Sequence, residues 1–423
     1  MGGAWRTALR AACIAALLAG RGLLAVAEEW PQFRGPTGQG ISQASGLPAD
    51  WSLQANTRWK VEIPGKGWSS PIVLAGKVYV TTAVESGEAP ERRLSLRALC
   101  LDAETGQVEW NVEVFERPVA AEEKLHKKNS FASPTPLTDG QHLFVHFGPD
   151  GTACLDLAGK TLWKNQELRF NPQHGNGGSP ILTGDLLFFH CDGVEDPFVA
   201  ALRRDTGELA WRTSRQPIES QRFSFATPLE IEVGDKRQLI SPASSQICSY
   251  DPESGRELWR VRVENKWSVV PRPVYAHGLV FACTGYEGPA EILAIRPDGQ
   301  GDVTETHVVW RSDDQIPHNP SPLIVGDDLF LVSDSGIASC RDAQTGKLHW
   351  RQRLGGNFSA SPVYADGRIY LQSEQGDLTV IAANREKFEK LQEVAFDEQM
   401  LATLAIADGG LFVRTETLLY RIE

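Results

Sequence analysis

One signal recurs eight times along this 423-residue chain, and it leaves few architectures open. A Ser/Thr-Pro pair opens a short alternating apolar strand, a tight Gly/Asp turn follows, and a second apolar strand returns. The copies start at Ser70, Thr135, Ser179, Thr227, Arg272, Ser321, Ser361 and, without the Pro, Thr403. Successive starts lie 40–65 residues apart. Downstream in most units a third strand, a Gly turn and a Trp four residues later mark a fourth strand, as in Gly106/Trp110, Gly159/Trp163, Gly207/Trp211, Gly255/Trp259 and Gly346/Trp350; Trp310 follows a longer turn. At Asp102, Asp251 and Asp342 the turn reads D-x-x-[ST]-G, in which Asp and the hydroxyl bond local backbone and Gly takes positive φ. Apolar residues alternate and turn signals recur every few positions, so a helical reading fails.

Eight four-stranded units predict an all-β fold, an eight-bladed β-propeller of antiparallel blades. The last unit stops after three strands, at Glu423. Its fourth strand is expected from the other end, where Thr57–Ile63 carries an unpartnered Trp59, so that the termini pair, close the ring and leave no exposed sheet edge. Unit seven lacks the Trp, and 390–396 is expected as its outer strand. The repeated Trp set reads as packing between blades. The expected organisation is a signal peptide over 1–27, a leader over 28–55 and one propeller domain over 56–423.

Residues 1–27 carry Arg6 and Arg10, a small and aliphatic stretch, and Ala25-Val26-Ala27 as an A-x-A cleavage site. Arg21 breaks that stretch short of a membrane span, and Cys13 follows no lipobox. A periplasmic or secreted chain without a transmembrane segment is expected, and a monomer. Losing residues 1–27 would move the net charge from −12 to −15, an unsuitable field for nucleic acid or anionic membrane.

The (S)P…G..Y(V)…LD..TG…W pattern resembles the PQQ-like (pyrroloquinoline quinone) β-propeller repeat over nearly all of 56–423. In its non-enzymatic form that repeat is BamB-like, and the leader Trp30–Pro36, HGNGGSP (174–180) and LGGNFSASPVYADGRIY (354–370) are similar to a group of exported bacterial propellers described by the repeat alone. The resemblance implies the fold; activity has to come from the site. Quinoprotein dehydrogenases of the superfamily hold PQQ with Ca²⁺ and a catalytic Asp, and many carry an adjacent Cys-Cys pair. This chain has no Cys-Cys pair and no Glu/Asn/Asp set recognisable as the calcium shell, so no cofactor is expected. PQQ with calcium belongs to the alternative, a PQQ-dependent oxidoreductase.

Connections alternate between the two faces of the disc. One face receives only tight turns; the long connections, including 115–131, 171–178, 216–225 and 313–319, share the other. The residues preceding each strand Pro should ring the axial mouth on the decorated face, seven of them small hydroxyls and the eighth Arg272. Just upstream lie His126, Lys128, Asn129, His174, Asn176, Arg222, His318, Asn319 and Asn357. Together with Arg272 they are the candidate ligand residues, a donor-rich set suited to an anionic or carbohydrate-like group or an extended peptide. No hydrolase, zinc-protease or nucleotide motif occurs. His142 and His146 make half a metal site at most, and Asp192/Glu195/Asp196 and Asp313/Asp314 lack EF-hand spacing. Cys100, Cys154, Cys248 and Cys340 repeat in third strands, and Cys191 and Cys283 in second strands, too far apart to bridge; free thiols are expected. The function expected is non-catalytic binding of a protein partner or glycan at the mouth, with outer-membrane protein assembly, as in BamB-like propellers, as a further alternative.

Overall fold

A computed structural model describes residues 28–423 apart from 49, 89, 121, 122, 124, 217–221 and 265. The proposed signal peptide lies outside the described residues. Eight sheets are arranged as eight blades, numbered here from the sheet that begins at Ile72. Blade 8 consists of Ala405–Ala407, Gly410–Arg414 and Leu418–Ile422, completed on the outside by Thr57–Glu62 from the N-terminal end. Trp59 lies opposite Arg421 and Val61 opposite Leu419. The ring therefore closes as expected, by pairing of the two chain ends.

The hairpins joining the first and second strands of several blades have two consecutive residues at positive φ, such as Ala75-Gly76, His277-Gly278, Asp366-Gly367 and Asp408-Gly409. Such turns match the right-handed twist of the strands they join. In the D-x-x-[ST]-G turns, Asp102 Oδ1 accepts from both the N–H and the hydroxyl of Thr105, each at 2.9 Å. Asp251 and Asp342 hold Ser254 and Thr345 in the same way.

The repeated Trp residues latch each blade to the next. Trp59 of blade 8 donates its indole N–H to Ala103 O of blade 1 (2.9 Å), Trp110 of blade 1 to Leu157 O of blade 2 (3.1 Å), and Trp163 of blade 2 to Arg204 O of blade 3 (2.9 Å). Trp211, Trp310 and Trp350 continue the series. The Gly of the G-x-x-x-W signal receives the ring of the preceding blade. A Cβ on Gly106 would stand 2.7 Å from Trp59, so only Gly permits the contact.

Blade 4 departs from the series. Trp259 donates to Gln238 Oε1 (2.8 Å), and Gln238 Nε2 passes the link to Pro297 O of blade 5 (2.9 Å). The longer turn of blade 5 brings Gly301-Asp302 alongside Glu257–Arg262 as a fifth, parallel strand of blade 4. Trp259 is fully buried as a result. Blade 7 has no Trp; its outer strand is Lys390–Ala395, and Gln392 donates to Trp51 O of the leader. In blade 1 the outer strand runs from Val108 to Pro118, four residues into the stretch expected as a loop.

All six cysteines from Cys100 onward are buried free thiols. Burial pushes Cys100 and Cys154 up to about 12 and Cys248 to about 11, and only thiolates react readily. In a chain beginning at residue 28, titration with a thiol reagent should find six reactive groups after denaturation and essentially none within minutes in the native protein.

Candidate functional site

The residues preceding the strand prolines form a hydrogen-bonded ring around the axis. Five of the seven hydroxyl residues donate their backbone N–H to the hydroxyl of the next blade: Ser70 to Thr135 (3.0 Å), Thr135 to Ser179 (2.9 Å), Ser179 to Thr227 (3.0 Å), Ser321 to Ser361 (3.0 Å) and Ser361 to Thr403 (2.9 Å). A small hydroxyl at these positions satisfies a buried amide that the sheet leaves unpaired. At blade 5 the hydroxyl is replaced by Arg272, whose N–H still donates to Ser321 Oγ (3.0 Å).

Beside this ring lies a cavity of about 470 Å³ lined by all seven hydroxyl residues. Phe33 of the leader also reaches it. Trp68, Phe225, Trp267, Tyr286, Val270 and Leu401 supply apolar lining, and His126, Lys128, Asn129, His174 and Asn319 supply polar groups. Five of the ten candidate residues are thus brought together. Lys128 Nζ pairs with Glu374 at 2.7 Å, from the connection entering blade 2 to blade 7. Those blades are not neighbours, so the bridge spans the mouth. The His126 and His174 rings lie 5.7 Å apart. Burial, with His174, Lys128 and Lys127 nearby, lowers the pKa of His126, which favours a neutral imidazole. Asn129 donates to His174 O (2.9 Å), and Asn319 donates to Tyr286 Oη (3.1 Å) and to Asp334.

The other five candidates do not line the cavity. Arg272 is 2% exposed and donates to Phe33 O (2.7 Å), turned from the mouth toward the leader. Asn176 is buried and faces a separate groove beside Phe131. Arg222 donates to Glu195 O (2.9 Å). His318 stacks behind Tyr286 with ring centroids 4.2 Å apart. Asn357 is exposed; its N–H donates to the side-chain Oε1 of Gln375 (2.8 Å) and its carbonyl accepts from Glu374 N–H (2.7 Å).

A family model described as outer membrane protein assembly factor BamB matches residues 56–215, 195–300 and 301–403. The chain belongs to the BamB family. A curated BamB of Shewanella oneidensis is 21% identical over 315 residues, covering 68% of this chain and 72% of that protein. The crystal structure of BamB from Moraxella catarrhalis superposes with a TM-score of 0.59 at 12% identity, over 87% of this chain and 99% of that one. A europium-containing methanol dehydrogenase superposes at 0.65 with 11% identity, over 93% and 98%. At such identities the likeness is one of fold.

The dehydrogenase neighbour raises the question of whether this BamB-family cavity suits a metal-bound quinone. Its lining includes no carboxylate, whereas hard cations take ionised oxygen ligands. Among the described residues no three His, Cys, Asp or Glu side chains are grouped to hold a metal. Asp192 is committed to Arg215 (3.0 Å) and Asp314 to Arg341 and Arg351 (2.9 and 2.8 Å). His142 pairs with Asp139, and His146 is buried against Phe189, its pKa lowered to about 3 by desolvation. The residues present do not fit the cofactor's metal.

Trp68, Trp267, Tyr286 and Phe33 are the lining residues that sequence reasoning passed over. Trp68-Ser69 and Trp267-Ser268 share a W-S pair shortly upstream of a ring position, outside the G-x-x-x-W register of the latch tryptophans. That offset was the available signal.

Proposed function

We propose that the chain is a non-catalytic propeller, exported to the periplasm, that binds a protein partner by taking apolar side chains of an extended segment into the axial cavity. The observation that carries this reading is the lining itself: aromatic and aliphatic residues beside a ring of small hydroxyls, with histidine, lysine and asparagine donors. Such a surface desolvates an aromatic or aliphatic anchor while its polar groups fix the backbone that carries it. Six of the seven hydroxyls already accept a backbone N–H from the ring, so they offer a preorganised surface with little ordering cost.

A photo-crosslinking residue at exposed Lys127, on the decorated face, should yield a discrete adduct in cells. The same probe at exposed Lys160, in a tight turn of the opposite face, should yield none. Trp267→Ala should reduce the Lys127 adduct at least tenfold with the purified protein still folded. Equal adducts from both faces, or an adduct indifferent to Trp267, would overturn the reading. Added PQQ and Ca²⁺ should support no alcohol-dependent dye reduction. Family membership favours one second reading, in which the partner belongs to outer-membrane protein assembly. Loss of the protein should then lower outer-membrane β-barrel levels.

A further inference from the structure

The leader inserts residues into the centre of the ring. Trp30 pairs with Val73 of blade 1, Pro31 O accepts from Thr138 of blade 2, Gly40 and Ser42 bond to Tyr364 of blade 7, and Gln39 accepts from Tyr275 of blade 5. Its Arg34 is fully buried. One terminal nitrogen of Arg34 donates to Pro322 O at 2.8 Å and approaches Pro362 O at 3.4 Å; Nε and Nη1 have no partner. Arg272 approaches from blade 5. Its Nη1 donates to Phe33 O at 2.7 Å, and its Nε has no partner. Among the described residues neither guanidinium forms an ion pair.

Two like charges in a dry interior cost a great deal unless something offsets them, and a guanidinium does not readily neutralise. Burial lowers both groups to about 9, and Arg272 adds to the shift of Arg34, which places the two within electrostatic reach. Both remain charged at neutral pH. Carbonyl dipoles from Phe33, Pro322 and Pro362 meet part of the demand and leave three N–H-bearing nitrogens open.

We propose that Arg34 and Arg272 hold one small inorganic anion of halide size between them, beneath Phe33, and that this anion fastens the leader to the ring. Crowding sets the size. A Cβ on Gly38 would stand 2.5 Å from the Arg272 guanidinium, and one on Gly40 would stand 2.7 Å from that of Arg34. Neither guanidinium lines the axial cavity or the grooves beside it, so a ligand that touches both has to be small. The inference is independent of what enters the cavity above Phe33.

The test compares thermal unfolding of the full chain in sodium chloride and in sodium gluconate at equal ionic strength. A ligand bound only by the folded state raises the midpoint with its concentration. Chloride should raise it by roughly 1–4 °C between 1 and 200 mM relative to gluconate. Sulfate should not substitute. Arg272→Gln should abolish the chloride response. Should that variant fail to fold, crystals of the unaltered protein soaked in bromide decide: an anomalous peak within hydrogen-bonding distance of both guanidiniums is expected. Identical midpoints in chloride and gluconate, a response to sulfate alone, or bromide crystals with no peak between Arg34 and Arg272 would each overturn the proposal.

Discussion

Trp59→Ala should destabilise the propeller by about 3–5 kcal/mol in equilibrium urea unfolding, in the range of large aromatic truncations in a core. Trp59 is 9% exposed and occupies the one seam of the ring that no covalent connection spans. Its ring lies under Gly106 and 6.1 Å from Phe412, and its indole N–H donates to Ala103 O. Arg421, on the strand paired with it, donates to the same carbonyl at 2.6 Å. Blade 8 and blade 1 are therefore gripped at one point by both chain ends. Truncation removes the buried ring, leaves a cavity and loosens Thr57–Glu62 from Leu418–Ile422. Trp110→Ala, on an outer strand that follows its paired neighbour directly in the chain, is the matched control and should cost less. Limited proteolysis should cut Trp59→Ala near residues 49–56 well before it cuts the control. Equal midpoints and equal proteolysis for the two variants would mean that the seam does not govern stability.

The ring was legible in the sequence because its causes are local and repeated. A Ser/Thr-Pro start and a Gly placed for the neighbouring Trp mark most units, and a two-residue positive-φ turn marks several. The missing strand of blade 8 followed from counting, and Trp59 marked its replacement. The site was only half legible for a different reason. His126, Lys128, Asn129, His174 and Asn319 were found by topology, since every connection before an inner strand ends at the same mouth. Topology gives position along the axis but not side-chain direction. Arg272 shares the ring position of the hydroxyls, yet its long side chain leaves the mouth for Phe33 O, and the leader residue that receives it is remote in sequence. The same limit hid Phe33. A single-copy leader has no repeat to register against, so nothing in the pattern announces that Arg34 and Phe33 enter the ring.

Arg215→Met should cost about 3–5 kcal/mol at pH 9, where it deprives a buried carboxyl group of the guanidinium that lets it ionise. Asp192 and Arg215 are each 1% exposed in their side chains and stand 3.0 Å apart. Arg215 also donates to Ser241 O at 3.2 Å and to its hydroxyl, which ties blade 3 to blade 4. Burial drives the Asp192 pKa up to about 7 even with Arg215 opposing the rise. Removing Arg215 removes the opposition, so the pKa climbs further. A carboxyl whose folded pKa exceeds its unfolded value contributes stability below the unfolded pKa and loses it as pH rises through the folded one. The deficit of Arg215→Met should therefore stay level below about pH 6 and grow from pH 7 toward pH 9. Buried His146 and His190, both lowered to about 3, act in the opposite sense: the unfolded chain takes up their protons first, and stability falls as pH drops from about 6.5 toward 3. The Asp192–Arg215 contact also lacks hydrogen-bond alignment, which leaves desolvation poorly offset. Asp192→Leu combined with Arg215→Met should consequently recover most of the single-variant loss and flatten its added pH dependence. Urea midpoints of the three proteins between pH 5 and pH 9 provide the check. A double variant as unstable as Arg215→Met would show that the Ser241 contacts, rather than the stranded charge, hold the two blades together.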